Sequence, residues 1–476
     1  MSGPGGKAGG GKARGRRGDL TSGPILPTLI AFSVSTLLSS LLQTFNQSIS
    51  LIWIGRLLGE SALAATTNGN TVMSLLFTVL TGFSMATMIR IGFHFGAGNE
   101  RAARRTFGCG IGWALGVSMV LAAAGVVFTP RLLHLLGTPP AAHDQAVHYL
   151  RVLFLTLPLT GLSSTVAMAS RGAGDSRSSL YGTVVTLVTS VVLNPLLILG
   201  AGPLPRFGLP GAALASGLAN LAGICVMGVV IWRPGAPLRI PAYALRWFLP
   251  SRTELAYLLR NGMPISLHLL LAVGAQLVMI GLVNREGLNF TAAFGVSMQI
   301  WNYMQSPSFA ISAGLTAMAS QAIGAGDHAR VGEITRTGMM VNTSVAAVLA
   351  MTILVLIRPI LALFFGHGSP AIPIGVHMQS ICIWGFVLSG LMSAMTAVLR
   401  AYGVQLANVA VNLVSVYFAR LAFYFLTYPL LGADALWWSF LFGTAVSVVL
   451  IRIVFVRGGW TRLGDEARQP ASITAG

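Results

Sequence analysis

Long apolar segments alternate with short polar or glycine-rich gaps along almost the whole chain. Twelve such segments fall at 24–54, 63–94, 106–129, 146–170, 178–201, 209–232, 254–284, 289–323, 333–357, 372–399, 404–430 and 434–456. A helix that crosses a hydrocarbon core of about 30 Å needs about 20 apolar residues. Because backbone groups in lipid must be hydrogen-bonded within their own structure, these segments predict helices. The pattern therefore predicts an all-α polytopic membrane protein with twelve transmembrane helices.

Composition and charge support this class. The 476 residues are 54% hydrophobic and 9% charged, whereas soluble proteins carry about 25% charged residues. The net charge of +18 would suggest nucleic-acid binding in a soluble protein. Here the basic residues lie in short gaps between apolar segments, so we interpret them as topology signals. Membrane lipids are the expected surroundings, and no nucleic-acid partner is expected.

The basic residues are distributed unequally between alternate gaps. One set of gaps, with both ends of the chain, holds 21 Lys and Arg residues, and the other set holds five. The positive-inside rule places the first set, and both termini, in the cytoplasm. Residues 1–22, rich in glycine and basic residues, are predicted to be a disordered cytoplasmic tail, and residues 458–476 a second cytoplasmic tail. The expected location is the inner or plasma membrane.

The second half of the chain repeats features of the first at a spacing of about 228 residues. The matching pairs are Leu63–Ala65 with Thr291–Ala293, Gly96–Asn99 with Gly324–Asp327, Pro130–Gly137 with Pro359–Gly366, and Arg171–Gly174 with Arg400–Gly403. Six helices per half give both halves the same orientation, a parallel repeat used by transporters. We therefore predict two pseudo-symmetric six-helix bundles, an N-lobe (23–232) and a C-lobe (253–457), joined by a cytoplasmic linker (233–252). A cleft between the lobes is the expected substrate path.

Several motifs resemble one known family. They are Gly23–Leu26, Ile54–Gly59, Arg90–Gly92 before Gly96–Gly98, Arg171–Asp175, Leu193–Ile198, Gly208–Ala215, Ala293–Val296 and Ser320–Gly326. In order, spacing and duplication they resemble the multidrug and toxic compound extrusion (MATE) transporters, over about Gly23 to Trp460. The resemblance implies that the protein is not an enzyme. It implies instead export of small organic molecules or drugs by alternating access, coupled to proton or sodium entry without a cofactor.

The chain departs from the family at its usual membrane-embedded acids. Where the resemblance places a carboxylate, this chain has Ser50 in the first helix, Asn194 in the fifth and, by its distance from a proline, Ala272 in the seventh. All twelve Asp and Glu residues fall in predicted tails, loops or helix ends. Embedded acids are common proton carriers in transporters. The scarcity of acids suits neutral, zwitterionic or anionic substrates, and the coupling ion stays open between H⁺ and Na⁺.

Two embedded basic side chains are candidate binding residues. His268, four residues after Pro264, can titrate near neutral pH and carry a proton, or it can be a neutral core histidine. Arg420 lies within the eleventh helix and should face the protein interior. It can hold an anionic substrate group or serve a structural role. Arg90 and His94, at the end of the second helix, are expected to reach lipid headgroups.

Polar side chains supply the remaining candidates. Asn46, Gln47, Ser50, Asn68, Asn70 and Asn194 lie at similar depths in three N-lobe helices and suggest one polar pocket. In the C-lobe, Gln299, Asn302 and Gln305 share one helical face, near Trp301, Tyr303, Met304 and Met318, and Gln276 is a further candidate. Such amides can bind a ligand or join helices by hydrogen bonds.

Other functions are less consistent with the sequence. The spacing of the histidines and of the three cysteines fits no metal site, and no motif indicates an intramembrane enzyme. A major facilitator, a lipid-linked precursor flippase and an uncoupled facilitator are the alternative transport functions. The expected assembly is a monomer.

Overall fold

The computed structural model describes residues 18–135, 140–200, 205–234, 236–240, 246–249, 251–366 and 368–458. The side chains of residues 60, 61, 63, 64, 68, 135 and 140–142 lie outside this description.

Twelve long helices make up most of the described chain. They are α1 (Ile25–Leu58), α2 (Glu60–Gly96), α3 (Glu100–Leu135), α4 (Pro140–Gly172), α5 (Ser176–Leu199), α6 (Leu209–Trp232), α7 (Arg252–Val283), α8 (Leu288–Ala325), α9 (His328–Phe365), α10 (Ala371–Ala401), α11 (Gln405–Leu431) and α12 (Asp434–Val456). The middle of α11, Leu413–Ala419, is π-helical. Each predicted apolar segment corresponds to one helix, so the predicted fold class is confirmed.

Eleven of these helices are long and apolar enough to cross a membrane, and α8 is the twelfth. At 38 residues α8 is long enough, but its polar side chains are spread along its whole length. Every α8 residue from Ala310 to Ile323 is buried. Since this stretch contacts protein and not lipid, Ser312, Thr316 and Gln321 can occupy it. The chain is a multi-pass membrane protein.

The internal repeat extends to the turns between helices. Gly98 and Gly326 both have positive φ, at 72° and 84°, a conformation that favours glycine. The next residue in each turn caps the following helix: Asn99 Oδ1 accepts from the Ala102 amide, and Asp327 Oδ1 accepts from the Arg330 amide. The repeated Gly-Ala-Gly motif is therefore a helix end followed by a helix start.

The helices pack as two equivalent lobes. In the N-lobe, α4 packs on α2, α3 and α6, and α5 packs on α1 and α6; in the C-lobe, α10 packs on α8, α9 and α12, and α11 on α7 and α12. Between the lobes, α1 packs on α8, α2 on α7, and α2 on α8. In the repeat, α7 is the equivalent of α1 and α8 is the equivalent of α2. The α1–α8 pairing in one direction is therefore the α7–α2 pairing in the other. The interface therefore follows the pseudo-twofold symmetry expected of a parallel repeat.

We call the side of the molecule where α1 begins and α2 ends the basic side, because its gaps hold most of the basic residues. The described chain is already packed there from Gly18 onward. The Leu20 side chain is 6% exposed and belongs to an apolar cluster with Leu29 and Ile323. The predicted disordered tail therefore extends too far at residues 18–22, which form an ordered segment. Residues 1–17 and 459–476 lie outside the described chain.

The linker also packs against the bundle. Leu238 is buried in a cluster with Ile91 and Phe107, and Arg104 Nε donates to the Pro237 carbonyl at 3.0 Å. The described part of the linker therefore lies against α3.

Candidate functional site

The two lobes approach most closely through glycines in α2 and α8. A Cβ atom added at Gly96 would lie 1.8 Å from the Gln321 carbonyl oxygen, and one at Gly324 would lie 2.0 Å from the Phe93 oxygen. A Cβ at Gly92 would lie 2.1 Å from Ser320 Oγ. Only glycine permits this spacing. The repeated glycines thus bring the two helices into backbone contact near the basic side.

Gln321 joins three segments at this contact. Its Oε1 accepts from the Leu20 amide at 2.9 Å, and its Nε2 donates to the carbonyls of Gly18 and Gly172 at 3.2 and 3.1 Å. Arg330 donates to the carbonyls of Leu20 and Gly23 at 3.4 and 3.0 Å. Residues 18–23, which we call the N-terminal strap, therefore link both lobes across the basic side.

Arg90 takes part in the same lobe interface. Its Nε lies 3.8 Å from Glu254 Oε2, and its guanidinium lies 4.6 Å from the Tyr257 ring centroid. Thr106 donates to the same Glu254 oxygen at 3.0 Å. The expectation that Arg90 reaches lipid headgroups is therefore wrong, because Glu254 at the start of α7 holds it against the C-lobe.

The N-lobe places Ser50 and Asn194 together, with Asn46 one helical turn from Ser50. Asn194 is fully buried, and its Nδ2 donates to the Ser190 carbonyl at 2.8 Å, Ser190 Oγ at 3.0 Å and Ser50 Oγ at 3.3 Å. The Oδ1 atoms of Asn46 and Asn194 are buried and accept no hydrogen bond within the described residues. This N-lobe cluster therefore offers free acceptors, which suit a cation or a hydrogen-bond donor.

The other predicted N-lobe residues are placed differently. Asn70 is exposed and accepts from Tyr149 Oη at 3.3 Å, a contact from α2 to α4. Gln47 is exposed on α1, and the side chain of Asn68 lies outside the described residues. Of the predicted pocket, the described side chains therefore show a hydrogen bond between α1 and α5. Asn70 forms no hydrogen bond with either of these two helices among the described residues.

His268 lies in a polar cluster nearer the basic side of the C-lobe. Asn412 Nδ2 lies 3.4 Å from both His268 Nδ1 and the His268 carbonyl oxygen. Asn408, one turn before Asn412, is 4% exposed, and neither of its side-chain polar atoms has a hydrogen-bond partner among the described residues. Sequence reasoning missed Asn408 and Asn412. Their signal was an Asn pair at i and i+4 on the helix that also carries Arg420.

Arg420 lies deeper in the C-lobe, against aromatic rings. Its guanidinium is 4.9 Å from the Phe440 ring centroid, and Phe440 stacks on Trp301 at 5.1 Å with an interplanar angle of 10°. Trp301 Nε1 donates to Gln379 Oε1 at 3.0 Å. Phe440 and Gln379 were not predicted, because an isolated Phe or Gln in an apolar segment carries no recognisable pattern.

The remaining C-lobe candidates are exposed. Gln276 on α7 and the α8 trio Gln299, Asn302 and Gln305 all face away from the packed core, as Tyr303 does. Met304 and Met318 are buried in apolar clusters. These two methionines therefore pack the lobe and do not line an open cavity.

The described carboxylates lie outside the middle of the helices, as expected from the sequence. Each lies in a loop or within the first two turns of a helix. Within the same residues, no three His, Cys, Asp or Glu side chains are grouped to hold a metal ion.

Comparison with known proteins assigns the family. The MatE family model matches residues 36–196 and 264–426, one match in each lobe. The probable multidrug resistance protein YoeA of Bacillus subtilis is 30% identical over 88% of this chain and 91% of its own. The FAD transporter of Shewanella oneidensis is 23% identical, over 83% of this chain and 87% of its own.

A solved structure shows the same fold. It is described as the outward-facing conformation of a multidrug resistance MATE family transporter of the MOP superfamily. The TM-score is 0.83 at 19% identity, covering 95% of this chain and 98% of that one. Since the family model covers well over half of the residues and places one match in each lobe, this chain belongs to the MatE family of multidrug efflux transporters.

Proposed function

We propose that this protein is a secondary active transporter that exports small organic molecules through a cleft between its lobes. The observation that carries the proposal is the glycine contact of α2 with α8, which closes the lobes together near the basic side. Polar side chains toward the opposite side, including Gln47, Asn70 and Gln299, are exposed. A molecule of this form can present its polar residues to one side of the membrane at a time.

The orientation follows from the charge distribution. With the basic side in the cytoplasm of a cell whose inner or plasma membrane holds the protein, both termini are cytoplasmic and the structure is closed to the cytoplasm. It is then outward-facing, which is consistent with the solved neighbour described in that conformation. A monomer is sufficient, because one chain supplies both lobes and the whole interface.

Coupling to an ion is the second part of the proposal. The N-lobe cluster occupies the position where the family resemblance places a carboxylate, and here it has amide and hydroxyl oxygens instead. The free Oδ1 atoms of Asn46 and Asn194 could coordinate Na⁺, since hard cations prefer oxygen ligands. His268 is the alternative carrier, for H⁺. No further cofactor is part of the proposal.

Two other transport functions fit the same fold. A lipid-linked precursor flippase and an uncoupled facilitator share the superfamily, and one relative is named an FAD transporter. Dependence of transport on an ion gradient separates the proposed antiporter from a facilitator.

The decisive experiment is substrate efflux from proteoliposomes under imposed H⁺ or Na⁺ gradients. Wild type is compared with Asn194→Ala and His268→Ala, and Asn220→Ala is the matched control. Asn220 makes the same bond to a carbonyl four residues earlier, Ser216, but lies in α6. If Na⁺ is the coupling ion, we expect a Na⁺ gradient to drive efflux by the wild type and Asn194→Ala to abolish that dependence. If H⁺ is the coupling ion, we expect an H⁺ gradient to drive efflux and His268→Ala to abolish that dependence.

Two results would contradict this proposal. If the wild-type efflux rate were the same with and without each gradient, the protein would be a facilitator. Loss of transport in Asn220→Ala to the same degree as in Asn194→Ala would show that the N-lobe amides act through folding alone.

A further inference from the structure

We infer that Arg420, Phe440, Trp301 and Gln379 form a binding site in the C-lobe for negatively charged aromatic molecules. This inference rests on the proposed transport function, because it assigns that function a substrate class. The site lies on four helices, α8, α10, α11 and α12, and we call it the arginine–aromatic site.

The first observation is an uncompensated positive charge. Arg420 forms no ion pair and no hydrogen bond with any residue that the structure describes, and its Nε atom is buried. A guanidinium inside a membrane helix bundle is costly without an anion or an acceptor. The described acids lie at the ends of helices and in loops, so a bound anion would supply the missing charge.

The second observation is a free donor on Gln379, which Trp301 and Phe440 connect to the arginine. Gln379 is fully buried, and its Oε1 is used by Trp301. Its Nε2 atom therefore has a fixed direction, and it has no acceptor among the described residues. Unpaired donors, one of them charged, favour a ligand with a carboxylate, sulfonate or phosphate oxygen. They do not suit a cation.

The third observation is the stack of flat groups. The Phe440 ring contacts two flat groups, the Trp301 indole and the Arg420 guanidinium, at 5.1 and 4.9 Å from its centroid. Aromatic ligands pack on such rings and on the guanidinium plane. The anionic group and the aromatic body of one molecule can therefore be held together at this site.

The backbone around Arg420 holds the site in position. The π-helical turn Leu413–Ala419 ends immediately before Arg420, and π-helical turns are frequent at functional sites. A Cβ at Gly443 of α12 would lie 3.2 Å from both Arg420 Cβ and the Ser415 carbonyl oxygen. Because α12 approaches α11 closely here, the Cβ end of the Arg420 side chain packs against α12.

The test uses two dyes that share a xanthene core and differ in charge, anionic 5-carboxyfluorescein and cationic rhodamine 6G. Their binding to the purified full-length protein is measured by fluorescence anisotropy, with protein-free micelles subtracted. The variants are Arg420→Gln, Arg420→Lys and Gln379→Glu. The matched control is Arg452→Gln, which removes an exposed arginine from α12 of the same lobe.

We expect Arg420→Gln and Gln379→Glu to weaken carboxyfluorescein binding at least tenfold, which is about 1.4 kcal/mol. The second change replaces the unpaired Gln379 donor with a carboxyl group in a side chain of unchanged size, and a carboxylate there repels an anion. Arg420→Lys should keep part of the affinity, because the charge remains and the planar fork is lost. Rhodamine 6G binding and the Arg452→Gln control should not change.

Carboxyfluorescein that fails to saturate on wild type, or that binds Arg420→Gln as tightly as wild type, would overturn the inference. An equal loss in Arg452→Gln would do the same, because it would show a general charge effect. If Arg420→Gln does not fold, the carboxyfluorescein affinity of Gln379→Glu alone decides whether the inference holds. Anion binding without export in proteoliposomes would reject the proposed function and keep the site, whereas export of other cargo without anion binding would reject only the site.

Discussion

The glycine contact between α2 and α8 should set the balance between the two transport conformations. The change to test is Gly96→Ala. The added methyl carbon would lie 1.8 Å from the Gln321 carbonyl oxygen, about 1.6 Å short of the 3.4 Å at which ordinary contact begins. Because the neighbour is backbone, a side-chain rotation cannot relieve the collision, and the two helices must separate.

The size of the effect follows from the cost of overpacking. Forcing an extra methyl group into a closely packed site costs about 1–3 kcal/mol. If only the state closed on the basic side carries this cost, the balance shifts toward the open state by about 5- to 150-fold. Gly92→Ala should shift it less, because its neighbour, Ser320 Oγ, can rotate away.

The assay places a reporter inside the contact. Ser320 is fully buried, and Ser320→Cys is nearly isosteric, so a membrane-impermeant maleimide labels it only when the lobes separate. The background lacks the three native cysteines. The matched control is Gly332→Ala, a helical glycine on the same side with open space around its Cβ position. Equal labelling rates for Gly96→Ala, Gly332→Ala and the parent protein would refute the reasoning.

Two more contacts on the basic side give predictions of their own. Glu254→Gln removes the charge facing Arg90 while keeping an acceptor for Thr106, and it should raise the labelling rate about fivefold, corresponding to about 1 kcal/mol; an unchanged rate would exclude a role of the ion pair in closure. In the N-terminal strap, burial raises the pKa of the Asp19 carboxyl, but hydrogen bonds from Thr21 and Ser22 outweigh burial and hold the pKa below the ordinary aspartate value. A lowered pKa means that this stabilisation is complete above the ordinary value and is lost only as the pH falls through the lowered one. Hydrogen exchange of residues 18–24, corrected for intrinsic rates, should therefore not change between pH 7.5 and 5.5, and faster exchange at pH 5.5 would contradict this assignment.

The helices and their repeat could be predicted because both depend on local constraints. Lipid excludes unpaired backbone groups, so length and apolarity were enough to find each helix, including α8. The Gly-Ala-Gly motifs predicted the equivalent turns because the positive φ at Gly98 and Gly326 is a property of the turn itself.

The lobe contacts could not be predicted because they join residues far apart in the sequence. Leu20 lies in a glycine-rich, basic segment with no periodicity, and its partner Gln321 is 301 residues away. Arg90 has the position of a residue that reaches lipid headgroups, and only the fold shows Glu254 beside it. Gln379 is an isolated polar residue in an apolar segment until α8 brings Trp301 to it.

The two lobes are structural repeats, but the N-lobe cluster and the arginine–aromatic site differ in the buried unpaired atoms that they hold. At the N-lobe cluster these atoms are acceptors, Asn46 Oδ1 and Asn194 Oδ1, whereas at the arginine–aromatic site they are donors, Arg420 Nε and Gln379 Nε2. A buried acceptor recovers its lost hydration from a cation or a donor, and a buried donor recovers it from an anion. The duplicated fold therefore carries two sites that need not compete for one ligand, so an ion in the N-lobe and an anionic molecule in the C-lobe can be bound at the same time. Carboxyfluorescein affinity measured with and without Na⁺ tests this independence: equal affinities would mean that the sites are uncoupled in this conformation. Weaker anion binding in Na⁺ would show the exchange that an antiporter requires.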